Sequence, residues 1–101
     1  MPVYFIVEIE KIIDRKMYSE YVSKVGSIVE KFGGKYLARG GKTFTVSGDW
    51  EPAKIIVIEF DSLEQLQNCF NCPEYRAIAP LREKSTKGRA IAVEGLVQTG
   101  C

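Results

Sequence analysis

The strand and helix signals that decide the fold are Lys54-Ile55-Ile56-Val57-Ile58-Glu59-Phe60 and, after Asp61, Ser62-Leu63-Glu64-Gln65. The first stretch is almost continuously β-branched, which is typical of a central strand of a sheet. In the second stretch, a serine with a glutamine three residues later has the spacing of a capping box, which opens a helix. The sequence therefore predicts a strand over residues 54–60 that is followed directly by a helix.

A similar strand–helix unit lies at the N-terminus. Residues 3–9 alternate in polarity, which predicts a strand with one fully apolar face. Asp14 is a good N-cap for a first helix that runs to about Phe32, because apolar side chains recur there at steps of three and four. Gly33-Gly34 ends this helix, since glycine accepts the left-handed conformation at little cost.

The segment after the first helix predicts an interrupted strand. Residues 35–39 are strand-like, Gly40-Gly41 interrupts the pattern, and residues 43–46 resume it. A glycine pair inside a strand pattern indicates a bulge or a sharp bend. Residues 47–52 are then a turn-rich connection.

The C-terminal third predicts more helix and a last strand. Pro73 can start another helical segment as its first residue, and we expect Pro80 to kink or break that segment. Gly88 leads into a last strand over residues 89–97.

The order of elements is therefore strand, helix, two strands, helix, strand. The usual arrangement for this order is the ferredoxin-like plait, an α+β βαββαβ fold with a four-stranded antiparallel sheet and both helices on one face. A chain of 101 residues has the size of one domain. We place that domain at residues 1–97, with residues 98–101 as a C-terminal tail.

The second face of the predicted sheet, which no helix covers, is the open face. Alternation along three strands places there Tyr4, Ile6, Glu8, Ile55, Val57, Glu59, Ala90, Ala92, Glu94 and Leu96. A surface this apolar is unfavourable in water. We therefore expect a homodimer in which two open faces pack together.

Composition excludes several classes of partner. The formal net charge is +1, so no strong field attracts nucleic acid or a membrane surface. No apolar run approaches the roughly 20 residues that span a bilayer. The N-terminus has the pattern of a strand and not of a signal peptide, so we expect a cytoplasmic protein.

The chain contains no histidine. This excludes Ser-His-Asp and Cys-His nucleophile systems, and also zinc, non-haem iron or haem held by histidine. We expect neither a metal nor a cofactor, and acid–base chemistry must use other side chains or the substrate itself. The three cysteines, Cys69, Cys72 and Cys101, are an odd number, which argues against a disulfide framework.

Several stretches of the chain match a known family in order. They are Tyr4-Phe5-Ile6-Val7, Phe32-Gly33-Gly34-Lys35-Tyr36-Leu37-Ala38-Arg39-Gly40-Gly41, Gly48-Asp49-Trp50-Glu51-Pro52, Ile58-Glu59-Phe60, Pro73-Glu74-Tyr75, Leu81-Arg82 and Val93-Glu94-Gly95. Over nearly its whole length, the chain resembles the domain of unknown function 1330 family of the dimeric α/β-barrel superfamily.

The resemblance implies the plait fold and a dimer whose two sheets face each other, but no established reaction. Relatives elsewhere in that superfamily include cofactor-free monooxygenases, lactone isomerases and haem enzymes. Cys72 departs from the family pattern, which has a serine cap at this position. Because cysteine caps poorly, we expect the helical segment that starts at Pro73 to fray.

Arg39 is the first candidate ligand-binding residue. It lies beside Gly40-Gly41, where the backbone can approach a ligand closely. Its planar guanidinium suits carboxylate or enolate oxygens. The alternative is an intramolecular ion pair, because a hairpin connection around Trp50 would place Arg39 near Glu59.

Glu59 and Glu94 are the candidate catalytic residues. Both lie in otherwise apolar strands that flank the first strand, which places the two carboxylates on either side of Tyr4. A buried carboxylate with a raised pKa can act as a general acid or base. Alternatively, both are structural groups at the rim of the barrel or pair with arginines across the dimer.

Tyr18 and Trp50 complete the candidate ligand-binding residues. The Tyr18 hydroxyl either lines a pocket between helix and sheet or belongs to a core residue. Trp50 either offers a stacking surface or anchors its loop. Cys69 and Cys72 have redox-motif spacing, but the pair lies at a helix end and not at the N-terminus that stabilises a thiolate.

Two hypotheses for function follow. The first is a dimer that binds a small organic acid or carbonyl compound, or a cofactor-independent enzyme of monooxygenase or isomerase type. Arg39 would orient the ligand, Glu59 would move protons, and Tyr18 and Trp50 would shape the site. The second is a non-catalytic dimeric accessory or regulatory module. Whether a pocket lies between helices and sheet or between two sheets stays open.

Overall fold

The computed structural model describes residues 1–96, which contain three helices and four strands. They are β1 (Val3–Ile12), α1 (Arg15–Lys31), β2 (Lys35–Arg39), β3 (Lys54–Phe60), α2 (Leu63–Asn71), α3 (Pro73–Ser85) and β4 (Thr86–Glu94). The strands form one antiparallel sheet in the order β2-β3-β1-β4. The predicted ferredoxin-like plait is confirmed, while Val97 and the predicted tail over residues 98–101 lie outside the described residues.

Local capping signals set the starts of two helices, as predicted. The Asp14 carboxylate accepts a hydrogen bond from the Met17 amide at 3.0 Å, and the Ser62 hydroxyl accepts one from the Gln65 amide at 3.2 Å. Gly33 follows α1 with φ at 79°, in the left-handed region that glycine adopts most easily. None of the helices in residues 1–96 is long and apolar enough to cross a bilayer.

The third helix differs from the prediction in two ways. The Cys72 sulfur accepts a hydrogen bond from the Tyr75 amide at 3.3 Å, so cysteine does cap this helix. Pro80 neither breaks nor ends it, because α3 continues to Ser85. Tyr75 and Ile78 before the proline and Ser85 after it are all buried, so packing holds the helix on both sides of Pro80.

The strand predicted over residues 43–46 is not formed, and these residues are exposed. Gly40, with φ at 76°, ends β2 while its amide donates to the Ile55 carbonyl at 3.1 Å. Since β2 is an edge strand and β3 begins only at Lys54, no strand lies opposite residues 43–46 to hold them. A long exposed loop therefore connects β2 to β3.

The last strand begins at Thr86, earlier than predicted, and each of its side chains faces the side of the sheet opposite to the one predicted. Val93 pairs with Tyr4, and Ile91 pairs with Ile6, so these residues share the open face. Glu94 pairs with Val3, which is buried in the core, and therefore faces the helix side.

The predicted placement of Ala90, Ala92 and Glu94 on the open face is consequently wrong. Leu96, also predicted there, lies beyond the end of β4. The reason is that both alternating sets of residues in this strand are largely apolar, so polarity alone does not fix its phase. Pairing with β1 fixes it instead.

Gly88 allows this pairing. A Cβ at this position would lie 2.2 Å from the Glu8 carbonyl oxygen, which belongs to the backbone of β1. We expect Gly88→Ala to lower the free energy of unfolding by about 3 kcal/mol, because the two strands must separate. Urea unfolding followed by circular dichroism measures the change.

The matched control is Gly41→Ala, since a Cβ there meets nothing within 4 Å. We expect it to change stability by less than about 0.5 kcal/mol. Equal losses in the two variants would show that the close approach of β1 and β4 is not what requires Gly88.

Candidate functional site

A cavity of about 620 Å³ lies between the helices and the sheet. Its floor consists of the core-facing side chains of β1 and β3, and α1 and α3 cover it, so most of its wall is apolar. Ala79 and Ala90 contribute small side chains to the wall and leave space open. The volume is in the range of cavities that hold small organic molecules.

Cations outnumber anions along this wall. Arg39, Lys54, Arg76 and Arg82 line the cavity together with Glu83, the single carboxylate among the described lining residues. The Glu83 carboxylate lies 3.8 Å from the Arg82 guanidinium. The cavity therefore favours a ligand that carries negative charge.

Arg39 lies at the mouth of the cavity, where it is exposed to solvent. Its guanidinium carbon lies 4.5 Å from the centre of the Tyr36 ring. Its guanidinium also lies close to α1 at Gly26, where an added Cβ would come within 3.1 Å of the Arg39 Nη2 atom. No carboxylate within residues 1–96 forms a salt bridge with Arg39.

A bulge in β2 places Arg39 on the cavity side. Lys35 pairs with Glu59, but the register shifts between Tyr36 and Ala38, so that Arg39 pairs with Ile56. Without this shift, alternation would put Arg39 on the same face as Glu59. The predicted proximity of Arg39 to Glu59 is therefore wrong, and the ion pair between them is not formed.

Tyrosine side chains bring hydroxyl groups to the otherwise apolar wall. Tyr18 is buried there, and the Lys54 ammonium lies 5.7 Å from the centre of its ring. Burial raises the pKa of Tyr18 and of Tyr36, although the Arg39 charge partly offsets the effect in both. Their hydroxyls are thus protonated at neutral pH and able to donate hydrogen bonds.

A second pair of hydroxyls meets further along the wall. The Tyr21 and Tyr75 oxygens lie 3.0 Å apart in a buried hydrogen bond between α1 and α3. Desolvation raises the pKa of Tyr21, and Tyr75 adds to that effect. The apolar spacing along the first helix predicts only a buried face there, so the sequence did not identify this pair.

The remaining candidates do not reach the cavity. Glu59 lies opposite Tyr4 on the open face, and Glu94, opposite Val3, is not among the lining residues. Trp50 also lies on the open side, where its indole Nε1 donates to a Glu8 oxygen at 2.5 Å. The sheet therefore separates Arg39 and Tyr18 from Glu59 and Trp50, and the site predicted from the sequence is divided in two.

Glu8, which the sequence correctly places on the open face, makes contacts there that the sequence did not predict. Its side chain is only 14% exposed and accepts a further bond from Arg89 Nε at 2.7 Å. The hydrogen bond from Trp50, then that from Arg89, holds the pKa of Glu8 below its ordinary value. These partners are distant in sequence, so no local pattern identifies the contact.

The two described cysteines are unlike an activated redox pair. Cys69 is fully buried, and desolvation raises its pKa to about 12, which disfavours the reactive thiolate. Cys72 caps α3, and Cys101 lies outside the described residues. Within residues 1–96, no three cysteine or acidic side chains cluster as metal ligands would.

The sequence matches one family model, described as "Domain of unknown function (DUF1330)", over residues 2–96. The chain belongs to this family. No curated protein matches the sequence. The DUF1330 assignment accounts for nearly all of the described residues and agrees with the resemblance found in the sequence.

Solved structures show the same fold as this DUF1330 chain at low sequence identity. The RPA0582 protein of unknown function from Rhodopseudomonas palustris is 18% identical with a TM-score of 0.77, over 96% of this chain and 84% of that one. A dimeric ferredoxin-like protein of unknown function from Jannaschia sp. CCS1 is 12% identical with a TM-score of 0.75, over 94% and 100%. SnoaB, a cofactor-independent oxygenase from Streptomyces nogalater, is 6% identical with a TM-score of 0.65, over 98% and 97%.

Trp50 should report the ionisation of Glu8, since it is the single tryptophan of the chain. The pKa of Glu8 lies below its ordinary value of 4.5. The contact is therefore complete above pH 4.5 and is lost as pH falls through the lowered pKa. We expect Trp50 emission to shift to longer wavelength in one step centred below that pH.

Glu8→Gln should abolish this step, because an amide does not titrate. Glu10→Gln is the control, since Glu10 lies in the same strand and its carboxylate contacts Lys87 at 3.8 Å. A step that persists in the Glu8 variant while circular dichroism shows folded protein would exclude Glu8 as its source.

Proposed function

We propose that this protein binds a small organic acid with an apolar body in the cavity between the helices and the sheet. The observation that supports the proposal is Arg39, a guanidinium at the mouth of an apolar cavity of about 620 Å³ without a carboxylate partner in residues 1–96. A ligand carboxylate would supply the missing partner.

The geometry around Arg39 suits such a ligand. The Arg39 guanidinium packs on the Tyr36 ring and lies close to α1 at Gly26. No salt bridge within residues 1–96 occupies it, so its planar fork is available for two parallel hydrogen bonds. Lys54 lines the same cavity and adds positive charge. The apolar wall would cover the body of the ligand.

Any reaction in this cavity proceeds without Glu59, since that carboxylate lies on the other face of the sheet. The cavity offers guanidinium and phenol donors, which stabilise an oxyanion or enolate form of a substrate. A cofactor-independent monooxygenase reaction would combine such donors with an electron-rich substrate that itself reduces oxygen, whereas an isomerase reaction would also need a base. Of the hypothesis drawn from the sequence, we therefore retain Arg39 and Tyr18 and omit Glu59 and Trp50 from the site.

We also propose that two copies of the chain pair through their open faces. Ile91 is 65% exposed and Val93 is 48% exposed, and both share this face with Ile6 and Val57. An apolar surface of this kind favours association. The Jannaschia neighbour, which has the same fold, is described as dimeric. This pairing is also what a non-catalytic accessory module requires.

The first test is Arg39→Ala. We expect it to weaken the binding of benzoate, phenylacetate and longer aryl carboxylates by about 10- to 100-fold, the effect of losing a hydrogen bond to a charged group. Arg39→Lys should fall in between, because it keeps the charge and loses the fork. Isothermal titration calorimetry measures the affinities.

Arg15→Ala is the matched control, since Arg15 is exposed at the start of α1 and does not line the cavity. Carboxylates that bind the wild type and Arg39→Ala equally would remove Arg39 from the site. A wild type that binds none of the panel would overturn the proposed function and leave the accessory module as the better hypothesis.

The second test is Ile91→Glu. We expect wild type to sediment as a dimer and this variant to sediment as a monomer at micromolar concentration, because a charge would be buried between the two sheets. Ile13→Glu is the control, since Ile13 is 61% exposed, close to the 65% of Ile91, and lies in the connection between β1 and α1. A monomeric wild type, or a dimer that tolerates Ile91→Glu, would contradict pairing through the open face.

A further inference from the structure

We propose that the paired hydroxyls of Tyr21 and Tyr75 form a second recognition point in the same cavity and bind a carbonyl oxygen of the ligand. The ligand class is then an oxo acid, with a carboxylate at Arg39 and a ketone at the tyrosine pair. This inference rests on the proposed function, because it assumes that the cavity holds an acid.

The two tyrosines form a built donor site within the cavity wall. Tyr21 is 9% exposed and Tyr75 is 7% exposed, and both line the cavity. Their rings meet edge to face, with centres 6.3 Å apart and planes at 80°, and this packing fixes the positions of the hydroxyls. The oxygens lie 3.0 Å apart.

The hydrogen bonding of this pair is incomplete. Two hydroxyl groups carry two hydrogens, and the bond between them uses one. Across residues 1–96, no other side-chain or backbone acceptor bonds with either hydroxyl. One O–H therefore remains free in an environment where an unmade hydrogen bond is costly, and an acceptor from within the cavity would complete it.

The single free O–H of the pair favours a neutral acceptor at this point. Burial raises the pKa of Tyr21, so its hydroxyl stays protonated at neutral pH. A second full carboxylate here would lose its hydration and find only one O–H to replace it. A ketone oxygen accepts that hydrogen bond at lower cost.

Arg82 adds to the attraction for a ketone oxygen at this point. It lines the same cavity, and its charge acts on the Tyr21 hydroxyl in the direction of lowering its pKa. The partial negative charge of a ketone oxygen bound by the free O–H would also be stabilised by this positive charge. Arg39, at the exposed mouth, would hold the carboxylate.

The experiment compares matched ligands by isothermal titration calorimetry. The ligands are aryl oxo acids whose ketone lies at increasing distance from the carboxylate, including 4-oxo-4-phenylbutanoate, each paired with its deoxo analogue, such as 4-phenylbutanoate. We expect the best oxo acid to bind wild type about tenfold more tightly than its deoxo partner, the effect of one added neutral hydrogen bond.

The double variant Tyr21→Phe/Tyr75→Phe should bind both members of each pair equally, because it has no O–H to donate to the ketone. Removing both partners of a hydrogen bond while keeping their shape leaves folding nearly unaffected. Tyr4→Phe is the control, because Tyr4 lies on the open face of the sheet, and it should keep the ketone preference.

Each other outcome overturns the inference. If deoxo acids bind through Arg39 as tightly as every oxo partner does, that result would contradict a ketone site at the tyrosine pair, while the proposed function would stand. A ketone preference that survives in the double variant would assign it to other groups. If no acid of either kind binds wild type, both the inference and the proposed function are wrong. The comparison of oxo and deoxo acids on the wild type tests the inference even if the double variant does not fold.

Discussion

The register between neighbouring strands of the sheet is the constraint on which the rest of the molecule depends. Side chains alternate along a strand, so a shift of one residue exchanges the set that lines the cavity with the set on the open face. The bulge between Tyr36 and Ala38 makes one such shift and turns Arg39 towards the cavity. Gly88 preserves the pairing of β4 with β1, because an added Cβ would lie 2.2 Å from the Glu8 carbonyl oxygen. The backbone of an edge strand thus determines that the Arg39 charge lies at the cavity mouth.

The cavity makes the domain less stable than a fully packed core would be. A chain of this size buries only about two thirds of its unfolded surface, so filling the space with aliphatic side chains would be favourable. Instead, Ala79 and Ala90 leave it open, and Tyr21 and Tyr75 bring hydroxyls into it that aliphatic residues would not need to satisfy. Sites that retain open space and polar groups at the expense of packing are typical of binding and catalysis.

Structures that depend on residues close together in the sequence were predicted, whereas contacts between distant residues were not. The Asp14 and Ser62 caps and the full extent of β3 follow from neighbouring residues, and all three are formed. The faces of β4 were assigned wrongly, since Ala, Ile and Val on both faces give alternation no phase. The Tyr21–Tyr75 pair joins residues 54 positions apart, and a stripe of apolar spacing shows only that each tyrosine is buried.

The sheet also allows the two hypotheses, ligand binding and pairing of two copies, to be tested separately. Adjacent residues of β3 point to opposite sides, with Ile56 in the cavity wall and Val57 on the open face. Ligand binding and pairing of two copies therefore use different side chains, although both depend on the same backbone. The exposed loop after β2 is where the two surfaces connect, because Gly40 at its start lines the cavity and Trp50 near its end bonds to Glu8 on the open side. A change confined to one face of β3 or β4 consequently tests one hypothesis alone, whereas a change in this loop affects both.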